Sequence, residues 1–367
     1  MTRSFAGMSA VVTGASSGIG RATALAFAER GANLLLAARR ADRLEEVARE
    51  CRELGGNAFA LPTDVTVEGD VERLARRAVA RFGGIDVWFN NAGVGVFGRF
   101  EDIPSEVWRR VIETNVFGYM YGAKAAMRQF RSQGHGVLIN NASIVGRLAK
   151  PDSTAYATSK FAVRGLAESL RQEVLDQPHI HICTILPSVI DTPFFQHAAN
   201  YSHHRVRAAP PVYTPEKVAR TVVGLVERPR AEVIIGGAGR TAILSKRLAP
   251  SLMTRINGRA LNYGFLADEP SDETTGTLFE PMRDEHRVDG GWRKGPNNGG
   301  VPSLLAVALV GLPLGLMAWR HWSRAQERAG AGSRRVDTRR EAMPERMEDH
   351  MRERPVPLAE AMADGLD

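Results

Sequence analysis

Between Ser9 and about Ile235, short runs rich in β-branched residues or leucine alternate with longer segments whose apolar residues recur at helical spacing. The short runs are Ala10–Thr13, Asn33–Ala37, Ala58–Leu61, Ile85–Phe89, Gly136–Asn140, Ile180–Leu186 and Glu232–Ile235. Helices are predicted over Arg21–Arg30, Arg43–Leu54, Val71–Phe82, Ser105–Arg131 and Ala155–Asp176. Strands that stay apolar along their length are buried on both faces, and helices between them make the sheet parallel. The expected fold is therefore α/β: a doubly wound, Rossmann-type parallel sheet forming a single domain over residues 1–267.

The first strand runs straight into Thr13-Gly14-Ala15-Ser16-Ser17-Gly18-Ile19-Gly20, and a helix follows at once. Gly14 permits the tight turn, while Gly18 and Gly20 let a pyrophosphate approach the backbone. The free N–H groups and dipole of the helix start then favour the anion. The spacing differs from the G-x-G-x-x-G of larger dinucleotide folds. At the end of the second strand stand Ala38-Arg39-Arg40, where a site for NAD needs a carboxylate to accept from the ribose hydroxyls. Arg39 can pair with a 2′-phosphate, so NADP(H) is the expected cofactor. The alternative is that both arginines are solvated loop charges.

Tyr156-Ala157-Thr158-Ser159-Lys160 lies on a predicted helix, and residues four apart share one face. A cation beside a phenol favours phenolate, which lowers the tyrosine pKa toward working pH and suits it to proton exchange with a carbonyl or alcohol oxygen. Ser143 closes the preceding strand in Asn140-Asn141-Ala142-Ser143, at the sheet edge where ligands bind. Its hydroxyl can hold the substrate oxygen. The fourth strand ends in Asn90-Asn91-Ala92-Gly93, whose small residues and amides can pack beside a cofactor. Asn115 sits inside an apolar helical stretch, where its amide must be satisfied. A structural hydrogen bond and a catalytic water relay explain it equally well.

Taken in order, these motifs, with Asp64-Val65, resemble the short-chain dehydrogenase/reductase family over roughly Ser4–Ala267. The resemblance implies Asn115, Ser143, Tyr156 and Lys160 as catalytic residues, with Lys160 also binding the nicotinamide ribose. It implies adenine contact by Asp64, flanking of the cofactor by Asn91 and the glycines, and carboxamide contact by Thr192. The cofactor contacts expected from the loop and the resemblance together are Thr13, Gly14, Ser16, Ser17, Gly18, Ile19, Gly20, Arg39, Arg40, Asp64, Val65, Asn91, Ala92, Gly93, Tyr156, Lys160, Pro187, Val189 and Thr192. Family members often pair their two long helices, here Ser105–Arg131 and Ala155–Asp176, into dimers or tetramers. Pro187-Ser188 departs from the Pro-Gly usual in the family, which puts the backbone beside the nicotinamide in doubt.

Asp191–Tyr213 holds Phe194, Phe195, His197, Tyr201, His203 and His204, and in the family this region is the substrate lid. Its aromatics suggest an apolar carbonyl or alcohol substrate; the histidines are read as surface residues. Tyr119 and Tyr121 are read as core or interface residues. The net charge is +7, almost all of the positive charge is arginine, and no basic stretch is interleaved with aromatics, so nucleic acid is an unlikely ligand class. Two cysteines exclude a disulfide framework and a cysteine metal site, and no secretory leader precedes the first strand.

Residues 268–300, rich in Gly, Pro, Asp, Glu and Asn, read as a linker. Val301–Trp319 is apolar and, as a helix, spans about 28 Å, so membrane association is expected. Arginines on its C-terminal flank place the tail inside by the positive-inside rule, which conflicts with a catalytic domain in the cytoplasm. The segment is then a shallow anchor, a span that overrides the rule, or a helix packed on the enzyme. Residues 320–367 are charged and expected to be disordered. The reading is an NADP(H)-dependent carbonyl reductase or alcohol dehydrogenase. The alternatives are a non-catalytic dinucleotide-binding scaffold, or dehydration or epimerisation on the same fold.

Overall fold

Seven short strands form one parallel sheet, in the spatial order Glu232–Ile235, Ile180–Pro187, Gly136–Asn141, Val87–Asn90, Ser9–Thr13, Asn33–Ala38 and Asn57–Pro62. In chain order, β1 (Ser9–Thr13) leads to α1 (Gly18–Ala28), β2 (Asn33–Ala38), α2 (Ala41–Glu53), β3 (Asn57–Pro62) and α3 (Glu68–Phe82). Then come β4 (Val87–Asn90), the two-residue β5 (Val96–Phe97), α4 (Ser105–Ile112), α5 (Gly118–Gln133), β6 (Gly136–Asn141) and α6 (Thr154–Glu173). The described remainder is β7 (Ile180–Pro187), α7 (Phe194–His197), β8 (Ala199–Asn200), β9 (His204–Val206), α8 (Pro215–Glu227), β10 (Glu232–Ile235), α9 (Gly237–Leu248) and β11 (Leu266–Pro270). This computed structural model describes residues 4–251, 253–254, 264–282 and 287–293.

The strands are apolar throughout because alternate side chains enter two different cores. Ala10, Val12, Leu34, Leu36, Val87 and Phe89 pack with Phe27, Val47 and Val222 of α1, α2 and α8. Val11, Leu35, Trp88 and Leu138 point the other way, onto Leu74, Ala126 and Ala167 of α3, α5 and α6. Removal from water stabilises each large side chain by roughly 1.5–3 kcal/mol. The strand order reverses between β1 and β4, so their carboxyl ends open a crevice where ligands of such sheets bind. Cys51 and Cys183 are buried free thiols.

Three local expectations are refined. The helix expected over Ser105–Arg131 is interrupted by a π-helical turn at Glu113–Phe117, which carries Asn115. The helix α8 lies outside the helices anticipated above, although Thr214 caps it through Lys217 N and Pro215 opens it. The described residues of the expected linker, 268–282 and 287–293, are joined to the domain. There β11 pairs antiparallel with β9, and further bonds tie the segment to the domain. The apolar run 301–319 and the tail 320–367 lie outside the described residues. Among the described residues no helix is long and apolar enough to cross a membrane.

Helix α5 approaches β4 at Gly122, where a Cβ would collide with Asn90 Oδ1 and lie 2.8 Å from Trp88 Nε1. Alanine improves helix propensity by about 1 kcal/mol, but overpacking here costs roughly 1–3 kcal/mol and involves a buried amide network. Gly122→Ala is therefore expected to lower the urea midpoint at unchanged m-value. An equal or higher midpoint would show that helix and strand part freely.

Candidate active site

Ser143 follows the carboxyl end of β6, with its Oγ accepting from Val145 N at 3.2 Å in a short turn. Tyr156 and Lys160 stand one turn apart on α6, and all three residues line one cavity. The Lys160 ammonium is buried at 3% exposure and lies 5.6 Å from the Tyr156 ring centroid. It donates to the Asn141 carbonyl at 2.8 Å and to Tyr119 Oη at 3.4 Å. Tyr119 in turn donates to the same carbonyl at 3.0 Å, so it is a buried brace behind the lysine.

Burial governs the protonation of this pair. It pushes the Tyr156 phenol up to about 12, against a hydrogen bond with Ser143 that lowers it. It pushes the Lys160 ammonium down to about 7. The expected depression of the tyrosine is thus not seen here: desolvation outweighs the Ser143 hydrogen bond and raises the phenol.

Asn115 does not line the cavity. Its Oδ1 accepts from Val94 N, and its Nδ2 donates to Val94 O at 2.9 Å and to Ser159 Oγ at 3.0 Å. The amide is fully buried and clamps the loop after β4 to α6. Of the two readings of this residue, its side chain carries the structural one.

Beside this cluster a groove is lined by Gly14, Ser16, Ser17, Gly18, Ile19, Arg39, Arg40, Asp64, Val65, Asn91, Ala92, Gly93, Pro187, Val189 and Thr192. Gly14 has φ +66° and a Cβ there would lie 2.7 Å from Ala92 Cα. Ser17 caps α1 without a side-chain hydrogen bond, and of the helix-start N–H groups that of Gly18 is taken by Arg287 O. Two expected contacts stand behind the groove instead. Thr13 Oγ1 accepts from Asn91 N and Ala92 N, and a Cβ at Gly20 would collide with Gly14 O. Burial pushes the Asp64 carboxyl up, but Thr66 hydrogen bonds and the charges of Arg110 and Arg39 hold it below its ordinary range. The groove, with its N–H groups, two guanidiniums and close glycine backbone, fits a phosphorylated dinucleotide.

Ser188 stands where a glycine was expected, and its buried hydroxyl has no hydrogen-bond partner among the described residues. Its N–H donates to Ile235 O at 2.9 Å, and its side chain fills space left by Gly236 and Gly239, where a Cβ would come within 2.6 and 2.5 Å of its Oγ.

The sequence reading missed that the chain after β11 straps this groove. Arg39 donates to Thr277 O at 2.6 Å, Leu278 O at 3.3 Å and Phe279 O at 3.1 Å, while Arg40 donates to Met282 O at 2.7 Å. Gly18 N donates to Arg287 O at 3.1 Å. Arg110 links Leu278 O to Asp64. Asp191 fixes the far end by accepting from the N–H groups of Gly290, Trp292 and Arg293. Trp292 also packs edge-on against Phe195. Composition pointed to a linker because these bonds use backbone groups, which leave no mark on side-chain patterning.

Residues 8–202 match the short chain dehydrogenase family model. The chain is 33% identical to the uncharacterized oxidoreductase YxnA of Bacillus subtilis, over 84% of this chain and 88% of that protein. It is 32% identical to the putative oxidoreductase SadH of Mycobacterium tuberculosis, over 69% and 95% respectively. Among solved structures, a short-chain dehydrogenase/reductase from Burkholderia phymatum in complex with NAD superposes with TM-score 0.62 at 26% identity, covering 68% of this chain and 96% of that one. An alcohol dehydrogenase from Thermococcus sibiricus complexed with 5-hydroxy-NADP gives TM-score 0.55 at 31% identity, covering 62% and 95%. The chain belongs to the short-chain dehydrogenase family of oxidoreductases.

Asp191 is 4% exposed, so its loss leaves the N–H groups it serves without a partner. Asp191→Ala is expected to release the strap and to speed limited proteolysis within residues 264–293, read by fragment masses. Cleavage at the wild-type rate would show that the strap is held elsewhere.

Proposed function

We propose that this protein is an NADP(H)-dependent oxidoreductase that interconverts a carbonyl and an alcohol on an apolar substrate. The observation that carries the reading is the convergence of Ser143, Tyr156 and Lys160 in one cavity with the glycine-lined groove. The nicotinamide supplies or accepts the hydride when bound. The Ser143 hydroxyl holds the substrate oxygen beside the phenol. The proton leaves Tyr156 Oη for that oxygen during reduction and returns to it during oxidation. Lys160, anchored on Asn141 O and braced by Tyr119, presents a positive charge that favours the tyrosinate left behind. Gly18, Ile19 and the start of α1 would hold the pyrophosphate, with Asp64 and Val65 at the adenine and Thr192 at the carboxamide.

NADP over NAD is supported by Ala38 at the end of β2, where no carboxylate stands, and by Arg39 within the groove. Strap carbonyls accept from Arg39 Nη1 and Nη2, and no described group accepts from its Nε, so the guanidinium is oriented while keeping a donor for a phosphate. An apolar substrate is supported by Phe97, Phe194, Phe195 and Phe265, which line the same cavity.

Tyr156→Phe removes the proton donor and leaves the groove intact. It is expected to lower kcat/KM for aldehyde reduction by about 10²–10⁴-fold, followed by NADPH absorbance, with NADPH affinity retained. Tight NADPH binding with no turnover of any carbonyl by the wild type would favour a non-catalytic scaffold instead.

A pH dependence follows from Lys160. Burial holds it at about 7, below its ordinary 10.5, so in the cofactor-free protein its charge is present below about pH 7 and lost as pH rises through it. The value of kcat/KM for NADPH, which reports the protein before cofactor binds, is expected to fall as pH rises through that value. Lys160→Arg, which stays charged, should flatten the profile. A flat wild-type profile between about pH 6 and 9 would contradict the assignment.

A further inference from the structure

A second cation faces the cavity, and the hydride-transfer reading gives it no task. Lys150 lies in the loop between the turn at Ile144–Gly146 and α6, and it lines the same cavity as Tyr156. Its Nζ is held between two rings, 4.5 Å from the Phe97 centroid and 4.9 Å from the Phe265 centroid. Its hydrogen bond, to Pro151 O, is at 3.5 Å, the outer limit for such a bond. Among the described residues no carboxylate forms an ion pair with it, although the charge of Asp152 favours its protonated form. An ammonium has three N–H donors, and removing one from water without an anionic partner is costly. Cation–π contact offsets part of that cost but satisfies no donor.

The rings between the two ends of the cavity form a continuous apolar path. Phe194 lies 5.3 Å from Tyr156 in a tilted pair and 5.4 Å from Phe195 edge-on; Phe195 lies 6.4 Å from Phe97 and 5.9 Å from Phe265. Tyr156 and Lys160 thus stand at one end, aromatic walls in the middle and, at the other, an ammonium with no carboxylate partner among the described residues.

We propose that Lys150 binds a carboxylate at the distal end of the substrate, which makes the substrate an oxo acid or hydroxy acid with an apolar body between its two polar ends. The proposal rests on the carbonyl–alcohol reading above and names the substrate class for that site. One lysine matches one negative charge, which favours a carboxylate over a phosphate ester carrying nearly two. Phe97 and Phe265 flank the ammonium, so an ion pair there is screened less than on an open surface.

The test uses the full-length protein, NADPH and a series of ω-oxo carboxylic acids of stepped chain length, each beside its methyl ester. At the best length the acid is expected to exceed its ester in kcat/KM by about tenfold or more, the size of one charge-assisted hydrogen bond. Lys150→Met should bring that ratio near one by raising KM for the acid, and Lys150→Arg should keep most of it. A wild-type ratio near one at every length overturns the proposal, as does a Lys150→Met variant that loses acid and ester alike. If no aldehyde is reduced at all, the carbonyl–alcohol reading fails by itself. Calorimetry with n-alkanoates then decides Lys150: binding by the wild type but not by Lys150→Met supports the carboxylate site. Equal binding by both, or none by the wild type, overturns it.

Discussion

The hydroxyl of Thr13 ties together the two strands between which the whole site opens. It accepts from the N–H groups of Asn91 and Ala92 and donates to Phe89 O, which locks the end of β1 against the end of β4. Asn91 returns its amide to Thr13 O and Gly14 O and accepts from Asn141 at the end of β6. This lock sits at the point where the strand order reverses, so the chain leaving β1 must turn at once. Only a residue tolerant of positive φ and lacking a Cβ fits at Gly14. The groove and the helix start of α1 follow from that turn.

From Asn141 the same network reaches Lys160. Its carbonyl accepts from Lys160 and from Tyr119, so the buried ammonium is positioned by the end of β6 and by α5 together. Asn115, at a π-helical turn, then clamps the loop after β4 against Ser159 on α6. Such turns appear often at functional sites, because the extra residue re-aims a side chain without ending the helix. The groove and the Tyr156–Lys160 cluster are therefore one hydrogen-bonded unit, covered by backbone carbonyls of the strap.

Much of this was legible in the sequence. Parallel strands buried on both faces leave an unbroken apolar signature, and Gly14, Gly18, Ser143, Tyr156 and Lys160 carry their chemistry in residue type and spacing. Three features were hidden for physical reasons. Asn115 reads as a relay or a brace from its type alone, and only its bonds to Val94 and Ser159 separate the two. The protonation of Tyr156 and Lys160 depends on burial, which spacing does not encode. The strap is held by backbone carbonyls on Arg39 and Arg40 and by Asp191 on backbone N–H groups, and such contacts have no side-chain periodicity. Lys150 was passed over for a similar reason: a single lysine in a loop becomes notable only when Phe97 and Phe265, distant in sequence, stand around it.

The central claim is that Ser143, Tyr156 and Lys160 carry out carbonyl–alcohol exchange beside a nicotinamide held in the adjoining groove. The most direct measurement is deuteride transfer from NADPH labelled at C4 of the nicotinamide to an aldehyde, read as the mass of the alcohol formed. Alcohol one mass unit heavier is expected with the wild type and almost none with Tyr156→Phe. Tight cofactor binding without label in any product, or label transfer unaffected by that substitution, would contradict it.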